Sequence, residues 1–114
     1  MGNRATIEVI NKDYSWQETP CYIYVHWSGS PETVTELVKG ASSNMRKSDI
    51  NYATARLIAH ICNYVEGGLS VGVQPATDQY KEVGTNGHYV IDMSNGHIKN
   101  DGKLIADGIQ FGNF

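Results

Sequence analysis

The sequence predicts an α+β fold: an antiparallel β-sheet with two α-helices inserted after the second strand, in the order ββααβββ. Three observations carry that expectation. Apolar residues alternate with polar ones near the start of the chain, a helical period takes over after Ser30, and alternation returns beyond residue 69. A chain of 114 residues with 40% hydrophobic and 18% charged side chains has the size and apolar content of one folded domain, 1–114.

Ala5, Ile7 and Val9 alternate with Thr6 and Glu8 and read as a half-buried first strand. The polar run "NKDYSWQETP" leads to a second strand over Cys21 to Trp27, paired antiparallel with the first. Ile23, Val25 and Trp27 fall on one face of it, taken as the core face, and Tyr22, Tyr24 and His26 on the other. Ser30, Pro31 and Glu32 form a helix start: the serine hydroxyl accepts an orphan amide, proline is pre-set for the first turn, and the acid suits the dipole. Val34, Leu37 and Val38 supply the buried stripe and Gly40 the expected stop.

Ile50, Leu57, Ile58, Ile61 and Val65 place a second helix from about Ser48 or Asp49 to Val65, ended by Glu66–Gly68. Its polar face holds Asp49, Tyr52, Arg56, His60 and Asn63. Leu69, Val71 and Val73 then alternate up to Pro75 as a third strand. In "GHYVIDMSNGHIKND" the pair Asn95–Gly96 signals a hairpin, and "KLIADGIQFGNF" makes one more strand or an arm.

Composition excludes several functions. A net charge of −3 gives no broad basic field for a long nucleic acid. No secretory pattern opens the chain and no window approaches an apolar membrane span, so a soluble cytoplasmic protein is expected. Cys21 and Cys62 lack CxxC spacing and read as two buried thiols. The four histidines show no HxH or HExxH spacing, and no nucleotide-cofactor, Walker or nucleophile-elbow motif occurs. Neither metal, cofactor nor familiar enzyme is therefore expected.

Aromatic side chains with polar handles are what stand out: seven Tyr and two Trp against two Phe. Tyr22, Tyr24 and His26 are candidate contacts to a base or ribose. Arg46, Lys47 and Arg56 are candidate phosphate contacts, the first two in a polar run that opens the second helix. The structural alternative for the first group is core packing, and for the second a solvated loop and helix face.

The run His26, Trp27, Ser28, Gly29, Ser30, Pro31, Glu32 resembles an HWxGxPE-type motif of small phage-encoded proteins, with Ser28 where Asp or Gly is expected. The helix-in-sheet arrangement resembles the first family of anti-Thoeris proteins. That resemblance implies a non-enzymatic, oligomeric sponge, acting in the host bacterial cytoplasm, for cyclic ADP-ribose-type signals or cyclic oligonucleotides; it carries over no binding residue. A homo-oligomer with ligand sites at subunit boundaries is expected on physical grounds too, since a domain this small encloses little pocket alone. The alternative is an anti-CRISPR-type inhibitor that blocks a host effector by protein–protein contact.

Overall fold

The computed structural model describes residues 2–64 and 70–114. It has the α+β architecture, with strands β1 (Ala5–Ile10), β2 (Tyr22–Val25), β3 (Val71–Gln74), β4 (His88–Asp92), β5 (His97–Asn100) and β6 (Lys103–Ala106). Helices α1 (Pro31–Ala41) and α2 (Ile50–Tyr64) lie between β2 and β3. The six strands form one sheet in the order β3-β2-β1-β4-β5-β6. Every neighbouring pair is antiparallel except the central β1 and β4, which run parallel with Ile7 opposite Tyr89. The sheet is thus mixed, and β3 must reach β4 by a crossover, residues 75–87, that passes β2 and β1.

Both helices cover one face of the sheet. Ala5, Ile7, Val9, Ile23, Val25, Tyr89, Ile91 and Ile98 meet Val34, Leu37, Val38, Ile50, Ala53, Leu57 and Ile61 in a single core. Alternation explains the strand contribution and the 3.6-residue period the helical one. Ser30 caps α1, its hydroxyl accepting from the Thr33 amide, with Pro31 in the first turn. Gly40 does not stop the helix. It lies inside α1, where an added Cβ would come 2.5 Å from His60 Nε2, so its role is close helix–helix approach. The helix instead gives way to a 3-10 turn at Ser42–Asn44. The expected ending of α2 at Val65–Gly68, and Leu69 of β3, lie outside the described residues.

Asn95–Gly96 does belong to a hairpin, but Asp92 pairs with His97, so the loop has four residues, 93–96. Asp92 organises it by accepting from the Ser94 amide and hydroxyl. The two-residue turn is Asp101–Gly102, joining β5 to β6, with φ of 48° and 85°. Positive φ at both central positions is the type I′ requirement, which an Asp-Gly pair meets at low cost. Beyond β6 the tail packs back, burying Ile109 and Phe111 and bridging Gly112 to Arg46.

Candidate functional site

The helix-free face of the sheet decides what the candidate residues can do. Tyr22 and Tyr24 point to it, as expected, but the crossover closes part of it. Tyr22 is only 5% exposed, its ring 4.7 Å from that of His88. Burial, with Glu8 nearby, pushes its hydroxyl pKa up. The Glu82 amide donates to Thr6 Oγ1 at 3.0 Å, and Thr6 Oγ1 lies 2.7 Å from His88 Nδ1. His88 Nε2 in turn lies 2.7 Å from Glu8 Oε1. Every group is satisfied when the Thr6 hydroxyl donates to Nδ1 and Nε2–H donates to Glu8. This hydroxyl–imidazole–carboxylate order is that of a nucleophile, base and orienting acid. Thr6 is 1% exposed, however, so no substrate reaches the hydroxyl, and the trio serves to tie the crossover to the sheet.

Tyr24 and His26 do sit together, at the β3 side of the same face. The Tyr24 hydroxyl is 2.7 Å from His26 Nδ1, and the His26 ring meets Trp27 edge-on at 4.6 Å. These three side chains, with Ser70, Val71 and Gly72, line a pocket of about 420 Å³. Two features of the sequence create it. β2 ends at Val25, so the strand alternation that would have buried Trp27 stops two residues earlier and the indole emerges 55% exposed. Gly72 is the cross-strand partner of Tyr24, and among the described residues a Cβ built on it meets nothing within 4 Å. The tyrosine ring therefore faces open space on its β3 side. The core position that alternation assigns to Trp27 is therefore wrong: the residue stands at the strand-to-helix corner, outside the core. That corner is held instead by Gly29, whose amide donates to the Asn3 carbonyl and whose own carbonyl accepts from the Tyr89 hydroxyl at 2.7 Å.

The three cationic candidates are elsewhere. Arg46 precedes α2, donates Nε–H to the Phe114 carbonyl at 2.8 Å, and has its guanidinium 5.8 Å from that ring's centroid. Arg56, on the exposed side of α2 one turn beyond Tyr52, donates to the Tyr52 hydroxyl at 2.7 Å and stacks over the same ring. Lys47 is held at its backbone, the amide donating to Gly112 and the carbonyl accepting from Asn11. All three belong to the helix side and its connection, whereas the Tyr24 pocket opens on the opposite face. The six residues expected in one ligand site are therefore divided: Tyr24 and His26 in the pocket, Tyr22 under the crossover, and Arg46, Lys47 and Arg56 away from both.

The residues that sequence reading missed are Trp27 and Gly72. A glycine inside an alternating strand is a recognised sign of a missing side chain that something else approaches, and it was available at position 72. The thiols also differ from expectation: Cys62 is exposed and Cys21 half-buried, with burial raising the Cys21 pKa. Among the described residues no group of three or more His, Cys, Asp and Glu side chains gathers to hold a metal ion, and no helix is long and apolar enough to cross a membrane. The chain matches no protein-family model, no curated protein and no solved structure.

Proposed function

We propose that this protein binds a small, base-bearing nucleotide signal in the Tyr24–His26–Trp27 pocket and holds it without turnover, as a phage counter-defence sponge would. The observation that carries the reading is an exposed Trp27 set edge-on to a hydrogen-bonded His26–Tyr24 pair around about 420 Å³ of open volume. An indole offers a stacking surface for any base, and the phenol–imidazole pair offers donors and acceptors for its edge or for ribose hydroxyls. The volume lies within the usual range of small-molecule sites, roughly 300 to 1,000 Å³. Among the described residues its lining contains no lysine or arginine. Recognition in one subunit thus rests on the base and sugar, and the phosphates face outward.

The pocket borders β3, an edge strand of four residues with Val73 59% exposed. A second copy packed along that edge would roof the pocket and cover Trp27 on the helix-free face while covering Val73, which shares the face of Ile23, on the other, so the proposal includes a homo-oligomer. Calorimetry with cyclic ADP-ribose isomers and cyclic di- and trinucleotides tests the ligand. At least one is expected to bind with Kd below about 10 μM, and Trp27→Ala should remove the roughly 1–3 kcal/mol that stacking supplies. Ligand recovered after denaturing the protein should be chemically unchanged. No binding across the set refutes the nucleotide reading, and a monomer by light scattering at micromolar concentration refutes the assembly.

The same edge also favours a second reading. An inhibitor docking on a host effector by strand addition would use the free β3 backbone and Val73. Capture of one defined host protein, insensitive to added nucleotide and abolished by a proline at Val73, would establish that reading over the sponge.

A further inference from the structure

The two edges of the sheet are built differently. β6 carries a bulge in its pairing with β5 and an exposed Lys103, both of which discourage a further strand from pairing there. β3 reads Val71-Gly72-Val73-Gln74, without a charge, and its register against β2 is unbroken. Among the described residues no strand pairs with its outer side. The phase of its hydrogen bonds is fixed by the His26 amide, which donates to the Ser70 carbonyl at 2.9 Å. His26 and Ser70 extend the register that sets Tyr24 opposite Gly72 and Tyr22 opposite Gln74. Hydrogen-bonded and non-bonded pairs alternate in an antiparallel ladder, so Gly72 and Gln74 turn their backbone groups toward β2. The amides and carbonyls of Val71 and Val73 point outward, away from the sheet.

Those outward groups complement themselves. When β3 meets the β3 of a second copy antiparallel about a two-fold axis at Gly72, Val71 faces Val73 of the partner subunit, and every outward amide finds an outward carbonyl. An axis at Val73 would instead set Val71 against Pro75 of the partner subunit, which has no amide to give. With the axis at Gly72 the two glycines form a non-hydrogen-bonded pair, the closer kind, at about 4.5 Å between Cα atoms. Gly72 lies on the helix-free face beside Tyr24, and neither copy puts a side chain there. The two aromatic pockets then open onto one floor, with the Tyr24 Cα atoms about 15 Å apart across the axis. The same register brings Gln74 of the partner subunit beside Ser70, which lines the pocket.

We propose that two copies join along β3 into one continuous sheet, and that the shared trough holds a ligand with two bases, a cyclic dinucleotide, at one molecule per two protomers. The inference rests on the nucleotide reading of the aromatic pocket and names the ligand class within it. Each base takes one Tyr24–His26–Trp27 pocket and stacks on the Trp27 of that subunit. The sugar–phosphate ring crosses the axis over the paired glycines, in space that any larger residue would fill. Gln74 shares the face of Gly72, so its amide from either subunit donates to that ring. A two-fold ligand on a two-fold site makes each contact twice, and its second base binds as an intramolecular event. A single-base nucleotide gains nothing from the second stacking surface.

Amide hydrogen exchange on the unliganded protein tests the pairing. The Val71 and Val73 amides should exchange at least about 100-fold more slowly than free peptide amides, whereas an unpaired edge leaves both unprotected. Calorimetry with cyclic di-AMP and cyclic di-GMP tests the ligand. The one that binds should do so at one molecule per two protomers, at least about tenfold tighter than AMP or GMP, which should bind one per protomer. Val73→Pro removes an outward amide from an edge strand, a position that accommodates proline. It should give a monomer by light scattering and weaken the cyclic dinucleotide at least about tenfold. If that variant fails to fold, exchange and stoichiometry on the wild-type protein decide the matter. The inference is overturned, with the nucleotide reading left standing, by fast exchange at Val71 and Val73, by one cyclic dinucleotide per protomer, by binding of single-base nucleotides alone, or by a Val73→Pro variant that stays dimeric. Failure of every nucleotide to bind overturns both.

Discussion

Gly72→Val separates pocket geometry from fold stability in a single variant. Gly72 sits between Val71 and Val73 in β3, opposite Tyr24, without positive φ and with nothing among the described residues within 4 Å of a built Cβ. An isopropyl group therefore enters free space, and that space is the pocket. A glycine inside a strand is destabilising by roughly 0.5–1 kcal/mol relative to alanine, and a β-branched residue fits a pleated surface better still. Stability should rise by about 1 kcal/mol, or about 4 °C in Tm for a domain of this size. Over the same substitution, nucleotide affinity should fall at least about tenfold, equivalent to about 1.4 kcal/mol, because the valine occupies the volume beside the Tyr24 ring. Thermal unfolding by circular dichroism and calorimetric titration read the two effects separately. A higher Tm with unchanged affinity would remove the ligand from this pocket. A lower Tm would show that the space beside Tyr24 is not open in solution, and the pocket argument would go with it.

Four further outcomes follow from the packing. Burial, with lesser contributions from Glu32 and Asp101, pushes the Tyr89 hydroxyl up to about 12 from its ordinary 10. The folded state therefore holds that proton longer than the unfolded one, and about 3 kcal/mol of stability, fully present below pH 10, is lost as pH rises through 12. Tyr89→Phe should flatten this alkaline decline relative to wild type while costing about 1 kcal/mol at neutral pH through the unpaired Gly29 carbonyl, and parallel pH profiles would refute the assignment. Ser30→Ala, which removes the cap of α1, should cost about 1 kcal/mol in urea unfolding, and Ser30→Asp should restore most of it. Gly102→Val at φ 85° should destabilise by 1 kcal/mol or more, roughly, while leaving binding in the Tyr24 pocket intact. Iodoacetamide should modify exposed Cys62 before Cys21, read by peptide mass spectrometry; equal rates would contradict the difference in burial.

Local signals in the chain proved readable where the physics that sets them is local. The capped start of α1, the apolar stripe of α2 and the alternation in β1 follow from residues within a few positions of each other. Trp27 escapes the period-2 pattern because β2 ends at Val25, and nothing near residue 25 marks where a strand stops when its partner strands end there. Tyr22 looked exposed because its cover arrives from a distant crossover, with Glu82 bonded to Thr6 across 76 positions. The parallel pairing of β1 with β4 is invisible for the same reason: no property of "ATIEV" distinguishes a parallel neighbour from an antiparallel one. Half of the aromatic site, Tyr24 and His26, was legible as an unexplained polar stripe. Arg46 and Arg56 were read by residue type alone, and type does not reveal that Phe114 and Tyr52 already occupy them.

The central β1–β4 pair also dictates an order of events when the chain is made. β1, β2, both helices and β3 are synthesised first and can associate, but the inner edge of β1 has no partner until His88 to Asp92 appear, with Thr6 waiting for His88 across 82 positions. Contacts of such separation fold slowly, because the loop between them must be closed before they give any return. Until then the nascent protein presents a bare apolar strand, Ala5 to Ile10, able to pair with another chain. Expression at lower temperature, or with a ribosome-associated chaperone in excess, should therefore raise soluble yield more than substitutions that stabilise the finished fold. A fragment ending before β4 should precipitate even though most of the core residues are already present in it.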